Sequence, residues 1–252
     1  MIKKITIILL SFTFSQHVFA KNSFEGMYGG LELGVQSTQS SWSASYLKRP
    51  SWNETTLDSS SPYKFKSSSP IVGIHLGNNW VQSQYLYGVE IKVNAGSSKK
   101  QIGGIPGCRI DCDGYTTGIS IDSSYVKFGE GISLNGKFGV LGSSDLLIYG
   151  LGGVSYQKIT TSATCQESGP DPVCLYQVGT PYSTKTKTKN TLGISLGAGV
   201  EKSYGPYSLR IEFLHTEFQK ISHRSIFDEG TTYDYSVKPK RQTLSLGINY
   251  YF

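Results

Sequence analysis

The sequence predicts an all-β fold, an eight-stranded antiparallel up-and-down transmembrane β-barrel with four long extracellular loops and short periplasmic turns. Three observations predict it. Glycine and tyrosine are abundant, at 29 and 17 residues, while methionine is scarce at 2. Apolar residues alternate with small or polar ones in eight runs. Short and long connections alternate between those runs without exception.

The N-terminus is set apart first. Lys3 and Lys4 precede an apolar run from Ile5 to Phe14, and the segment closes on Val18-Phe19-Ala20. A charged start, an apolar middle and small residues at a cleavage point describe a secretory signal peptide over residues 1–20. The run is too short to cross a bilayer as a helix. The remaining chain, 21–252, is read as one barrel domain with a net charge of +4 once the two lysines are removed from the +6 of the whole.

Side chains of a strand point alternately to opposite faces, so each run sorts its residues into two sets. From Met27 to Gln36 the apolar set is Met27, Leu31, Leu33 and Val35, against Tyr28, Glu32 and Gln36. Val72 to Trp80, Tyr87 to Ala95, Ile132 to Val140, Leu192 to Val200, Tyr207 to Phe213 and Leu244 to Phe252 divide in the same way. Leu146 to Tyr156 carries apolar residues on both faces, and its facing stays unassigned. A soluble sandwich alternates too. Strand length favours the membrane: the runs are close to the span of a tilted strand across hydrocarbon, about 9–11 residues. Their order favours it further. The second and third runs are joined around Gln82-Ser83-Gln84, the fourth and fifth by Gly142 to Asp145, and the sixth and seventh near Ser203 to Pro206. The other four connections are long, near Thr38–Ser69, Ser97–Tyr125, Lys158–Lys189 and Phe218–Lys240. Aromatic residues gather at both ends of the runs. Phe24, Tyr28, Trp80, Tyr85, Tyr87, Tyr204, Tyr207 and Tyr250 lie toward the short turns, and Trp42, Tyr125, Phe128, Tyr156 and Phe218 toward the long connections. Two such bands are expected at the two membrane interfaces.

Seven charged residues fall on the non-apolar faces: Glu32, Glu90, Lys92, Lys137, Glu201, Arg210 and Glu212. In a barrel that face lines the interior, where charges must pair or hydrate. The reading is a plug of ion pairs, and a small-ion path is the alternative.

Several runs carry a family likeness. Phe24-Glu25-Gly26-Met27-Tyr28-Gly29-Gly30, Gly73-Ile74-His75-Leu76-Gly77-Asn78-Asn79-Trp80 with Gly88-Val89-Glu90, and Tyr149-Gly150-Leu151-Gly152-Gly153-Val154 resemble strands of small eight-stranded porin-family surface proteins, the OmpA-like barrels and opacity-type surface antigens. So do Gly197-Ala198-Gly199-Val200-Glu201 and Leu209-Arg210-Ile211-Glu212-Phe213. The ending Leu246-Gly247-Ile248-Asn249-Tyr250-Tyr251-Phe252 resembles the C-terminal signal that the barrel-assembly machinery reads, with Phe252 as its terminal aromatic. The resemblance covers all eight strands and none of the long connections. It implies residence in the bacterial outer membrane, with lipid and lipopolysaccharide as neighbours. The chain departs from the pattern in its fourth strand, where Asn135 and Lys137 stand in place of an arginine pair.

The long connections hold the remaining candidates. Cys108 and Cys112 form one close pair and Cys165 and Cys174 another. In an exported chain disulfides are the default. Pairing within each couple and pairing across them both stay open, and no metal is assigned. Lys185, Lys187 and Lys189 alternate with threonine and share one side of a strand extension. They read either as a solvated rim that blocks edge pairing or as a contact for lipopolysaccharide phosphates or an acidic host polymer. His223 and Ser225 share a face, with Glu229 nearby, but match no lipid A deacylase motif. His75 reads as a hydrogen-bonded lumen filler. No catalytic residue, cofactor or nucleic-acid partner is assigned. The expected function is that of a surface barrel, structural or adhesin-like, binding host surface ligands through its loops. Haemin or other small-ligand binding is one alternative, and lipid A modification the other.

Overall fold

The computed structural model describes residues 23–48, 62–103, 123–142, 145–166, 182–227 and 232–252. Ten strand segments account for almost all of them: β1 (Gly26–Lys48), β2 (Tyr63–Gln82), β3 (Tyr85–Ala95), β4 (Ser98–Gly103), β5 (Ser123–Gly142), β6 (Leu146–Gln166), β7 (Tyr182–Tyr204), β8 (Tyr207–Phe218), β9 (Ile221–Ile226) and β10 (Thr232–Tyr251). Each of the eight neighbouring pairs β1–β2, β2–β3, β3–β5, β5–β6, β6–β7, β7–β8, β8–β10 and β10–β1 is antiparallel, and the last closes the ring. Two staves of this eight-stranded barrel are broken. β4 resumes the β3 stave and pairs only with β5, while β9 resumes the β8 stave and pairs only with β10. Gly96 marks the first break: a Cβ there would stand 2.8 Å from the Pro70 carbonyl oxygen, so only glycine admits that approach.

The short turns need little chain. β2 and β3 are joined by Ser83 and Gln84, and β7 and β8 by Gly205 and Pro206. Ser83, Asp145 and Gly205 take the left-handed conformation, with φ of 57°, 54° and 66°, which fits the twist of tight hairpins.

The lower half of every stave follows the expected polarity. Leu31, Leu33, Ile74, Leu134, Ile194, Leu196, Ile211 and Leu246 are each more than half exposed on the outer face, and Glu90, Lys137, Glu201 and Arg210 are buried inside. Such an inverted distribution is stable only where hydrocarbon surrounds the outer face. β3 presents six outward side chains from Tyr85 to Ala95 over its 11 residues, the length of an apolar band about 25 Å tall. The facing of β6, unassigned from sequence, is odd-inward: Leu147, Tyr149, Leu151, Ser155 and Gln157 are buried, and Ile148, Val154 and Tyr156 exposed. Its parity is obscured in the sequence because Leu147, Tyr149 and Leu151 belong to an internal apolar cluster with Phe24, Tyr28, Leu86 and Tyr251 toward the short-turn end and Leu214 higher on β8. Inward glycines make room for its rings. The Tyr28 ring lies over Gly77, where a Cβ would meet Cζ at 2.4 Å, and the Tyr149 ring covers Gly199 in the same way.

The bounds expected for the long loops are the largest correction. β1 continues to Lys48 and β2 starts at Tyr63, inside the segment expected as loop from Thr38 to Ser69. β6 reaches Gln166 and β7 starts at Tyr182, so most of the described part of Lys158–Lys189 is also strand. β4, β9 and the first half of β10 fill the others in the same way. The physical reason is a reversal of polarity. Outward residues of β10 are Lys238, Lys240 and Gln242, then Leu244, Leu246 and Ile248; inward ones are Tyr233, Tyr235 and Val237, then Arg241, Thr243 and Ser245. Above the band the outer face meets water, so apolar side chains can be buried only inside. A second internal cluster results, of Trp42, Phe65, Val126, Phe128, Ile159, Ala163, Phe218, Ile221, Phe227, Tyr233, Tyr235 and Val237. Each such side chain stabilises the extension by about 1.5–3 kcal/mol when fully buried.

The same reversal corrects the aromatic bands. Trp80, Tyr85, Tyr87, Tyr204, Tyr207 and Tyr250 do face outward at the short-turn side. Phe24 and Tyr28 are instead inside the barrel, as are Trp42, Phe128 and Phe218 at the other end. Of the aromatics expected at that end, Tyr156 faces lipid, and Tyr125 is half-buried on β5.

Candidate functional site

The lumen is occupied at three levels. At the short-turn end lies the first apolar cluster. The seven predicted charges form two groups, the Lys137–Glu201 pair level with Leu147 and Leu151 of that cluster and the other five further up the staves. Glu32, Glu90, Lys92, Arg210 and Glu212 make one network. Lys92 Nζ lies 3.0 Å from Glu32 and 3.7 Å from Glu90, and it bonds Glu212. Arg210 donates Nη1 to Glu90 at 2.5 Å and Nη2 to Glu32 at 3.2 Å, with Glu212 at 3.9 Å. Tyr28 and Tyr149 donate their hydroxyls to Glu90 (2.9 Å) and Glu212 (3.3 Å). Lys137 and Glu201 form a separate pair at 2.8 Å. Glu201 also accepts from Ser208, Asn249 and Tyr251 at 2.5, 2.6 and 2.8 Å, and Lys137 stands 4.0 Å from the centre of the Tyr149 ring. These charges are almost wholly buried, so the hydrogen bonds satisfy groups that would otherwise be costly to desolvate.

Sequence reasoning missed Arg241. It is 2% exposed and donates Nη1 to Gln157 at 2.5 Å and to Asn94 at 3.3 Å, with its guanidinium 5.7 Å from the Phe218 ring centre. The signal was present: extending the inward parity of Thr243, Ser245 and Asn249 back by one step reaches Arg241. His75 is buried, and Nε2 is taken by Asn249 Oδ1 at 2.6 Å.

The third level is the upper apolar cluster. Trp42 stacks on Tyr235 with centroids 4.0 Å apart and donates its indole N–H to Tyr233 at 3.1 Å. Above it, the mouth is uneven. The last backbone bond between the β7 and β8 staves runs from Gln219 N to Leu192 O at 2.8 Å. Beyond it β9 leans to β10, so β7 from Tyr182 to Thr191 pairs with β6 only, among the described residues. Lys185, Lys187 and Lys189 lie on this edge. They face inward with Ala163, Thr161 and Ile159, their cross-strand partners. His223 and Ser225 share the inward face of β9; His223 stands edge-on to Tyr235. Burial, and then the neighbouring Lys187, hold the imidazole below its ordinary pKa. Glu229, Cys108, Cys112 and Cys174 lie outside the described residues, as does the segment 1–20. Cys165 stands near the tip of β6, opposite Ser183.

A closed ring of antiparallel strands, apolar outside and charged within, defines the class: a β-barrel of the bacterial outer membrane. The sequence model of the outer membrane protein beta-barrel domain matches residues 6–252, and the chain belongs to that family. No curated protein matches it. Among solved structures it is similar to the outer membrane protease OmpT from Escherichia coli, with a TM-score of 0.52 at 9% identity over 93% of this chain and 99% of that one. It also matches Ail, the attachment invasion locus protein of Yersinia pestis, with a TM-score of 0.35 at 11% identity over 90% and 99% of the two chains. Neisserial surface protein A matches with a TM-score of 0.37 at 11% identity over 87% and 97%. At these identities the likeness to OmpT is one of fold.

Proposed function

We propose that this protein is a non-conducting surface barrel that holds a binding platform clear of the membrane, in the manner of an adhesin. One observation carries the reading: apolar, ionic and apolar layers fill the interior in succession, while the staves continue beyond the lipid around a core of their own. An eight-stranded ring leaves room for side chains and little else. A water-filled path has no use for a buried stacked Trp42 and Tyr235, whereas a rigid stalk requires such a core. Loops carried on this stalk are where ligand recognition would sit. Lys185, Lys187 and Lys189 occupy an unpaired strand edge, where solvated lysines discourage pairing with another chain. The C-terminal Phe252 serves as the assembly signal read during insertion, and Cys108, Cys112, Cys165 and Cys174 serve as disulfide partners, within or across the two close pairs.

The test has two parts. Purified protein in planar bilayers should give no discrete conductance steps. Cells displaying the protein should bind host matrix or cell surfaces, and lose that binding when residues 49–61, 104–122 and 167–181 are replaced by short glycine-serine linkers while heat-modifiable gel migration is retained. Regular channel openings, or binding that survives the replacements, would refute the proposal. A haemin titration and mass spectra of lipid A from expressing cells address the ligand-binding and lipid-modifying alternatives.

A further inference from the structure

The outer flank above the apolar band is strongly asymmetric. Gln39 on β1 is opposite Lys66 of β2 and Lys240 of β10, and Ser41 is opposite Lys64 and Lys238. Two rows of lysines therefore lie side by side on the outer face. With strands about 4.8 Å apart and a rise of about 3.3 Å per residue, lysines are about 10 Å apart within a row and the rows about 7 Å apart. The array continues onto β4 and β5, because Ser67 Oγ bonds the Lys99 carbonyl at 3.2 Å, and Lys99 is directly opposite Lys127. Like charges facing each other across a ladder are destabilising, and here they are retained. Lys240 is held by Glu217 at 2.6 Å. Among the described residues no carboxylate pairs with Lys64, Lys66, Lys99, Lys127 or Lys238, and all five are exposed. Asp234, higher on β10, is taken by Arg224 at 2.7 Å. The opposite flank differs. There Thr160, Ser162 and Thr164 of β6 bond Thr188, Thr186 and Thr184 of β7 at 3.0, 3.0 and 2.9 Å, a neutral ladder that satisfies itself.

Height identifies the ligand. Val35, Val72 and Leu244 are the last outward apolar residues of β1, β2 and β10. Gln39 is four residues beyond Val35, a rise of about 10 Å for a tilted strand. Polar headgroups begin there, and lysine stems reach down toward them. Ser23, Phe252 and the short turns lie at the other end, so this flank meets the outer leaflet, whose lipid is lipopolysaccharide. We infer that the lysine array on β10, β1, β2, β4 and β5 is a docking face for the phosphate groups of lipopolysaccharide, anchoring the barrel by one side. This rests on the outer-membrane barrel orientation of the proposed function but not on its adhesin role.

The probes are lipid A bearing both phosphates, its dephosphorylated form and phosphatidylglycerol, each titrated against the refolded protein in detergent and read by native mass spectrometry. The wild type should retain bisphosphorylated lipid A best. At about fivefold per lysine, K64Q/K66Q/K238Q should weaken retention about a hundredfold, whereas K185Q/K187Q/K189Q should leave it unchanged. K99Q should bind lipid A more weakly; it relieves the charge opposite Lys127 but gives up the contact of Lys99 with the Tyr125 ring, 4.1 Å from its centre, so its stability in plain phosphatidylcholine vesicles should stay near that of the wild type. Heat-modifiable migration confirms folding for each variant, and K99Q keeps the test decisive if the triple variant fails to fold. Equal retention by wild type and a folded lysine variant, or phosphatidylglycerol held as tightly as lipid A, would overturn the assignment. Neither result touches the conductance or loop-replacement tests.

Discussion

Replacing Arg210 by Met tests whether the lumen is held together by charge pairing. The surrounding network contains three carboxylates, Glu32, Glu90 and Glu212, against two cations, Lys92 and Arg210. Its net charge is −1, and the substitution makes it −2. Met fills most of the volume but supplies no donor, so Glu90 loses a bond of 2.5 Å and Glu32 one of 3.2 Å. Arg210 is 1% exposed, and removing one partner of a buried ion pair costs about 3–5 kcal/mol. Glu90→Gln is the informative companion. It also breaks bonds, to Arg210 and Tyr28, but it brings the network to neutrality, so its cost is nearer about 1–2 kcal/mol. In the double variant the uncompensated Glu90 charge is absent, and the combined cost should fall short of the sum by at least about 1 kcal/mol. Urea unfolding in phospholipid vesicles, followed by tryptophan fluorescence and by heat-modifiable gel migration, measures all three. An Arg210→Met variant within about 1 kcal/mol of wild type, well below the buried-pair range, would refute the reasoning. So would a double variant whose cost equals the sum of the single costs.

Three further outcomes follow from other parts of the molecule. Trp42→Ala removes a buried, stacked and hydrogen-bonded indole at a cost of about 3–5 kcal/mol; trypsin should then cut the extension at Lys64 and Lys66 while heat-modifiable migration persists, and an unchanged digest would count against an independent upper core. Burial and Lys187 both lower the pKa of His223, so the unfolded chain binds more protons at mildly acid pH, and the extension loses stability as pH falls through the window below about 6.5; histidine NMR in nanodiscs should show a lowered titration that Lys187→Gln moves upward, and no movement would place Lys187 too far away to matter. Ser83 carries a left-handed φ of 57° in an exposed turn, so Ser83→Gly should raise stability by up to about 1 kcal/mol, and a destabilised variant would show that the serine side chain supports the hairpin.

The barrel was legible in the sequence where one medium surrounds a whole run. Between Tyr85 and Ala95, lipid outside and packed polar groups inside impose a strict two-residue alternation, and the seven lumen charges fall out of it directly. Legibility failed at two boundaries. At the membrane surface the outer medium changes from hydrocarbon to water, and the alternation persists with its polarity exchanged: Lys238 and Lys240 outside, Tyr235 and Val237 inside. Reading only the apolar-outward pattern ends the strand at that exchange and turns ordered strand into loop, which hides Arg241 and places Trp42 in an interfacial band instead of the upper core. Inside the barrel, where rings cap the lumen, Leu147, Tyr149 and Leu151 make both faces of β6 apolar and erase its parity. Continuing each run's parity through the exchange recovers the extensions. The pairing of Lys99 with Lys127 is different in kind, since β4 resumes after a break whose register no local pattern fixes.

The ionic middle layer is explained by how such a chain reaches its site. A strand that is apolar on both faces approaches the hydropathy of a membrane helix and aggregates while still unpaired in water. One charged or small face per stave keeps the unfolded segment soluble, and closing the ring then buries those charges together. The arrangement is stable only if the buried charges balance. Four carboxylates (Glu32, Glu90, Glu201 and Glu212) face Lys92, Lys137 and Arg210, leaving an excess of one negative charge unless Arg241 is counted. Among the described residues Arg241 touches no acid, but it bonds Asn94, two residues along the same face of β3 from Lys92, which places its charge about 7–10 Å from the network. At that distance, and at an effective dielectric constant near 20, it contributes about 2 kcal/mol of attraction. The arginine at the top of the lumen therefore neutralises a network it does not contact, and it separates the ionic layer below from the apolar core that begins at Phe218.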